Sequence, residues 1–282
     1  MHELFLTASV SQEDFDTACA ILQGLSWMTA RRTVYRILYF AGQPQPRSLP
    51  VTPQAELLPR QQDRQLWVEL SRQLQRSSYV LQAAYEVSPE TDFGRGGNNN
   101  NNIAAAAPTD LNRLPATLRW TDLPDPLRDS PITSRKKIEI PFRFNLRGVL
   151  LANQHTYTNE LIQESYSFNQ GDLEIMLSRY YHLPAEQIPG QPQSQSQPQP
   201  QPAPQLPPWA DLRPVDPAQK WALTVKLHVA EDGQPERLAK ATEELLRNKA
   251  ELDRLFDFRP VDRRVFDTRV APPPVVPGRA PP

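Results

Sequence analysis

The sequence predicts a mainly β (α+β) fold, a single many-stranded antiparallel β-barrel with a few helices. Three segments place apolar residues at every second position, which is typical of strands with one buried face. Six further segments show a weaker form of the same pattern. Strands this numerous in one chain favour an antiparallel sheet that closes into a barrel or folds into a sandwich.

The strands follow in order along the chain. The clear alternation covers residues 137–144, 172–181 and 221–229, and the weaker candidates are Glu3–Val10, Arg31–Phe40, Tyr79–Val87, Leu118–Asp122, Arg147–Ala152 and Tyr157–Phe168. Phe142, Ile175 and Leu223 lie on the apolar faces, so we expect them to point into the closed interior. Glu174 and Lys226 lie on the polar faces and are expected at the surface.

Three helices are expected between the strands. Ser11 is a good N-cap for an apolar stripe that runs from Phe15 to Leu25. Asp63–Gln75 carries leucine and tryptophan at helical spacing. Pro235–Phe256 is the longest candidate, and it should end before Arg259-Pro260 because the residue before a proline avoids the α region.

The repeated alternation across the chain indicates one domain over residues 1–270. Segments rich in proline, asparagine or glutamine interrupt it, and they offer little apolar surface that could offset the entropy of ordering them. We therefore expect flexible insertions at about residues 43–59, 94–107 and 191–208. Residues 271–282 should form a disordered Pro-rich tail.

Composition narrows the function classes. The formal net charge of −1 lacks the basic excess that phosphate binding requires, which disfavours a nucleic-acid-binding β-domain without removing that alternative. The single cysteine, Cys19, cannot form an internal disulfide, so a reducing compartment is expected.

A search for catalytic motifs finds none of the usual signatures. The four histidines, His2, His155, His182 and His228, have no second histidine or cysteine at ligand spacing. The sequence also contains no phosphate-binding glycine loop. From these observations together, we expect neither a bound cofactor nor a bound metal. A metal-dependent phosphohydrolase of the triphosphate tunnel type remains the enzymatic alternative. It would need Glu-x-Glu pairs on strands, however, and the nearest pattern is Asp172-x-Glu174.

The strand at Arg31–Phe40 is apolar on both faces toward its end. Tyr35, Ile37 and Tyr39 share one face with Thr33, while Val34, Leu38 and Phe40 share the other with Arg32 and Arg36. A barrel wall has only one inside, so one of these two sets must meet either a helix of this chain or another protein. Because tyrosine is a frequent interface anchor, Tyr35, Ile37 and Tyr39 are the candidate protein-binding residues.

Several whole segments resemble filamentous-fungal members of the Mediator of RNA polymerase II transcription subunit 18 family. These are the opening Met1–Val10, the Phe15–Leu25 helix with Arg31–Arg36, Tyr79–Val87, Arg119–Asp122 and the run Lys136–Pro184. The resemblance covers most of the chain outside the biased tracts.

The resemblance implies a non-enzymatic structural subunit of the Mediator head module in the nucleus, which supports RNA polymerase II transcription. It implies a barrel similar to that of the RNA triphosphatase tunnel enzymes but without their metal site. The implied partners are Mediator subunit 20 and the C-terminal helix of Mediator subunit 8, with RNA polymerase II contacted indirectly. No stretch of the sequence approaches the ~20 apolar residues that spanning a bilayer needs, so no membrane association is expected. The near-zero net charge argues against direct contact with nucleic acid.

Overall fold

The computed structural model describes residues 1–42, 49–76, 79–94, 109–126, 130–184, 201–230 and 235–260. Its strands are β1 His2–Val10, β2 Arg31–Ala41, β3 Val80–Glu86, β4 Ala116–Thr121, β5 Thr133–Phe142, β6 Thr156–Gln170, β7 Leu173–His182, β8 Arg213–Pro214 and β9 Trp221–Val229. Its α-helices are α1 Phe15–Ser26, α2 Gln61–Gln73, α3 Leu146–Ala152 and α4 Pro235–Leu252. None of these helices has the length and apolarity that crossing a bilayer requires.

Eight of the strands form a closed antiparallel barrel. The order around the wall is β6-β2-β3-β4-β5-β1-β9-β7, and pairing between β6 and β7 closes the circle. The short β8 extends the sheet beside the end of β7. Gly171, with a φ of +60°, supplies the left-handed residue in the tight turn between β6 and β7. The predicted fold class is therefore confirmed, and the barrel replaces the sandwich alternative.

The apolar faces of the strands point outward. Ile140, Ile175 and Leu223 are completely buried, but they lie beneath helices and loops that cover the outside of the wall. The polar faces line the interior, where Glu174 and Lys226 lie. The prediction that the apolar faces fill the interior, and that these two residues are on the surface, was wrong. Alternation identifies the covered face of a strand, but the covering layer can lie on either side of a barrel wall.

Helices α1 and α4 cover the wall formed by β1, β9, β7 and β6. Leu22 of α1 and Leu245 of α4 are fully buried in this outer core, together with Trp221 of β9. The ring of Phe15 stacks on that of Trp221 with centroids 4.2 Å apart. The N-cap of α1 is Asp14 and not the predicted Ser11, which accepts a hydrogen bond from the backbone N–H of Asp14 in the turn before the helix.

Helices α2 and α3 cover the opposite wall, formed by β2 to β5. Leu38 and Phe40 of β2 share this second outer core with Trp67 and Leu70 of α2. The expectation that a helix of this chain covers one face of β2 is thus confirmed for the Leu38 set.

Two local predictions on this side were wrong. Residues 147–152 were expected as a strand but belong to α3, because Leu146, Val149 and Leu150 follow the i, i+3, i+4 spacing of a helix and are buried. Residues 49–59 were assigned to a flexible insertion, yet Leu57 and Leu58 are buried in the outer core. The Arg143 N–H also donates to the Leu57 carbonyl.

Residues 201–212 form a segment that we call the strap. It covers the outer wall where β2, β6 and β7 contribute Val34, Ile162 and Tyr181. Its Leu206 and Leu212 are buried with Val34, Phe93 and Tyr181. The Gly94 N–H donates to the Leu206 carbonyl, and the Thr109 N–H donates to the Pro204 carbonyl. The predicted flexible insertion 191–208 is therefore wrong for its last residues. Gly94, which was expected at the start of another flexible insertion, is also fixed by its hydrogen bond to Leu206.

The remaining parts of the predicted insertions, residues 43–48, 95–107 and 191–200, lie outside the described residues, as does the predicted tail 271–282. The longest helix ends at Leu252, four residues before the predicted end. Phe256 still packs into the outer core beyond it.

Candidate functional site

The inward faces of the barrel strands enclose a cavity of about 1210 Å³, which we call the lumen. One side of its wall, the charged half, comes from β4, β5, β1, β9 and the start of β7. Its members are Arg119, Arg135, Lys137, Glu139, Glu3, Lys226, His228 and Glu174. The other side, the uncharged half, comes mainly from β2, β3 and β6. Apart from Arg31 at the start of β2, its members are Thr33, Tyr35, Ile37, Tyr39, Gln82, Asn159, Leu161, Gln163, Ser165 and Ser167.

Glu3 is the centre of the first ion-pair network in the charged half. Its carboxylate accepts from Arg135 Nε at 2.6 Å and from Lys137 Nζ at 3.4 Å. Burial alone would raise the pKa of Glu3, but the positive charges of Lys137 and Arg135 outweigh it and lower this pKa to about 2. Lys137 also lies 3.1 Å from Glu139, and Arg119 lies 3.3 Å from the same Glu139 oxygen. Two glutamates are thus shared among three cations.

Glu174 is the centre of the second network. Lys226 Nζ lies 2.9 Å from one carboxylate oxygen, and His228 Nε2 lies 3.6 Å from the other. Burial opposes ionisation of Glu174, but the proximity of His228 and the charge of Lys226 prevail and lower the pKa to about 2. This carboxylate therefore stays charged inside the barrel.

The predicted protein-binding residues Tyr35, Ile37 and Tyr39 line the uncharged half of the lumen. They do not lie on the outside of the wall, where the sequence had suggested a docked helix. The guanidinium of Arg119 lies over the Tyr35 ring, 4.7 Å from its centroid, and so links the two halves. Burial raises the pKa of Tyr39, whose hydroxyl remains protonated. The structure thus brings the three residues together, facing the cavity.

The other residue types considered for chemistry are dispersed. His228 lines the lumen. His155 is buried elsewhere, and burial lowers its pKa. Cys19 packs against the outer core on α1, and burial raises the pKa of its thiol. Within the described residues, no three histidine, cysteine, aspartate or glutamate side chains group closely enough to hold a metal ion.

Sequence reasoning missed the lumen network. A signal was present, because the polar faces of the β5, β7 and β9 segments carry charges of both signs at alternate positions, as in Lys137 and Glu139. Charges on a solvated face look the same in the sequence. Only closure of the barrel reveals that Glu3, Lys137 and Lys226 are buried together.

Another buried ion pair lies on the outside of the wall. Arg36 Nη2 lies 2.6 Å from the carboxylate of Glu160 on the neighbouring strand, and both side chains are almost fully buried. Arg36 also donates to the Ala203 carbonyl at 2.6 Å, while the Ala203 N–H donates to Glu160 at 2.7 Å. The pair thereby holds both backbone polar groups of one strap residue.

Comparison with known proteins gives results that agree over almost the whole chain. The family model described as Med18 protein matches residues 2–269. The Mediator of RNA polymerase II transcription subunit 18 of Aspergillus oryzae is 24% identical over 287 residues, covering 95% of this chain and 99% of the relative. Its counterpart from Coccidioides immitis is 26% identical over 281 residues, covering 96% and 100%.

A solved structure shares the fold. A chain in the structure of the Schizosaccharomyces pombe Mediator head module superimposes with a TM-score of 0.59 at 15% identity, covering 93% of this chain and 99% of that one. The family match over residues 2–269 is decisive on its own. The chain belongs to the Mediator of RNA polymerase II transcription subunit 18 family.

Proposed function

We propose that the chain is a non-enzymatic structural subunit of the Mediator head module, which acts in the nucleus and supports RNA polymerase II transcription by holding other subunits. The observation that carries this proposal is the family match over residues 2–269. Full-length relatives from two fungi carry the Mediator subunit 18 name, which supports the same role.

The partners that we propose are Mediator subunit 20 and the C-terminal helix of Mediator subunit 8. A helix docked on the outer wall would meet side chains of the covering helices. Val68 of α2 and Leu246 of α4 are exposed apolar residues of this kind, as is Trp27 after α1. We keep Tyr35, Ile37 and Tyr39 as protein-binding candidates, now for a segment that enters the lumen.

The ion pairs of the lumen support a non-enzymatic role. Each glutamate that faces the cavity is engaged by at least one cationic side chain, Glu3 by Arg135 and Glu174 by Lys226. A divalent cation would have to displace these partners before it could use the carboxylates. Ion pairs of this kind serve to maintain the structure of the barrel wall.

Co-expression tests the proposal. The full-length chain would be produced with subunits 20 and 8 from the same organism, and the purified material would be resolved by size-exclusion chromatography with mass determination. We expect all three chains in one stoichiometric peak. Separate elution of the three chains would contradict the proposal, and so would metal-dependent phosphate release from a triphosphate by the purified chain.

A further inference from the structure

The lumen combines two properties that the scaffold role leaves unused. It is larger than the roughly 300–1,000 Å³ typical of small-molecule sites, and its two halves differ in chemistry. Within the part of the chain that the structure describes, six arginine and lysine side chains line it against three glutamates. The cations are Arg31, Arg76, Arg119, Arg135, Lys137 and Lys226.

The carboxylates of the lumen glutamates are largely occupied by their ion-pair partners, whereas the arginine and lysine side chains keep N–H donors for further hydrogen bonds. A guanidinium has five N–H donors and an ammonium has three, which is more than one shared carboxylate can accept. Arg119 illustrates the point, because its one ion-pair contact among the described residues is the Glu139 oxygen that Lys137 also approaches. Arg76 at the rim is paired with Asp122, so the surplus lies mainly around Arg119, Arg135 and Lys137. The charged half therefore favours an anionic ligand.

The side chains of the uncharged half indicate which kind of anionic ligand fits the lumen. Gln82, Gln163 and Asn159 present amide groups that can pair with a peptide backbone, and Tyr35 and Tyr39 present aromatic surface. A small polyphosphate would use the charged half and leave this wall without contacts. An extended peptide sends alternate side chains to opposite sides, so acidic residues at every second position would face the cations while apolar ones face the tyrosines.

We propose that the lumen binds an acidic segment of a partner protein in an extended conformation. This inference rests on the proposed function as a protein-holding subunit and names the part of the molecule and the chemistry of the segment. Arg119 and Lys137 bind the acidic side chains, and Tyr35, Ile37 and Tyr39 contact the residues between them.

Fluorescence anisotropy of the full-length chain tests the proposal. The probe is a labelled eight-residue peptide that alternates glutamate with leucine, and its control has glutamine at every glutamate position. We expect saturable binding of the acidic probe that weakens as salt is raised from about 50 to 200 mM, because added salt screens charge. The glutamine peptide should bind at least tenfold more weakly.

Two substitutions locate the site. Arg119→Gln should weaken binding of the acidic probe at least tenfold, whereas Lys249→Met, which removes a cation on α4 outside the barrel, should leave it unchanged. If the Arg119 variant melts early, Gln82→Glu serves instead, because it places a carboxylate directly opposite Arg119 that competes with the acidic probe for the guanidinium.

The outcomes separate this inference from the proposed function. Equal binding of both peptides, unchanged affinity in the folded lumen variants, or binding of inorganic tripolyphosphate without binding of the peptide would each overturn the lumen proposal. If the chain still forms a complex with subunits 20 and 8 in that case, only the lumen inference fails. If the chain forms no complex with them at all, the proposed function fails as well.

Discussion

Arg36 and Glu160 form an ion pair on the outer wall of the barrel, with 2.6 Å between Nη2 and the carboxylate and side-chain exposures of 1% and 7%. The two residues lie on adjacent strands, and together they bind the N–H and the carbonyl of Ala203. Removing one member would leave a buried charge and one backbone group of Ala203 without a partner.

Arg36→Met should therefore lower the free energy of unfolding by about 3 kcal/mol or more, because a buried charge left without its partner is costly. Urea denaturation followed by circular dichroism measures the loss. The same substitution at Arg113, whose pair with Asp110 is 87% and 54% exposed, should cost under about 0.5 kcal/mol. Equal losses in the two variants would contradict the described burial of Arg36.

The strap should contribute to stability through Leu206. Leu206→Ala should lower the free energy of unfolding by roughly 2–5 kcal/mol, since it leaves a cavity beside Phe93 and Tyr181. Leu255→Ala, at a side chain that is 53% exposed, is the matched control and should cost much less. Deletion of residues 191–200 is still expected from their composition to have little effect on the melting temperature.

The outward orientation of the apolar faces predicts that both faces of β7 are sensitive. Ile175→Ala should lower the free energy of unfolding by roughly 2–5 kcal/mol, because Ile175 is fully buried in the outer core. Glu174→Ala should cost about 1–3 kcal/mol, since it leaves the buried Lys226 without its partner. Glu243→Ala, on the exposed side of α4, should cost under about 0.5 kcal/mol. An unchanged free energy of unfolding in Glu174→Ala would contradict the placement of Glu174 in the lumen.

Acid should destabilise the protein through the lumen carboxylates. The pKa of Glu3 is about 2 in the folded protein against an ordinary value of 4.5, so the unfolded chain binds the proton first as the pH falls. The stabilisation is complete above about pH 4.5 and is lost between pH 4.5 and 2, on the order of 3 kcal/mol for this group. Denaturation at several pH values should show a flatter profile in Glu3→Gln than in the parent. A parallel profile would show that Glu3 is not held ionised.

The elements themselves were largely predictable from local pattern. Period-two alternation located β5, β7 and β9, and the apolar stripe that runs from Phe15 to Leu25 located α1. The failure at α3 has a clear cause, since its seven residues are too few for periodicity to separate helix from strand. The candidate Tyr35, Ile37 and Tyr39 were correctly grouped on one face, because side chains at every second position of a strand share a side.

What the amino-acid sequence by itself determined is which residues share a face, which faces are covered, and which family the chain resembles, because these depend on local spacing and residue identity. What only the tertiary structure decided is the side of the wall to which each face belongs. Closure of β6 onto β7 turned Glu3, Lys137 and Lys226 inward and Ile175 outward. The contact of Ala203 with Arg36 and Glu160, distant in sequence, was likewise set by packing. Alternation is symmetric between inside and outside, so the assignment depends on where the helices and the strap pack.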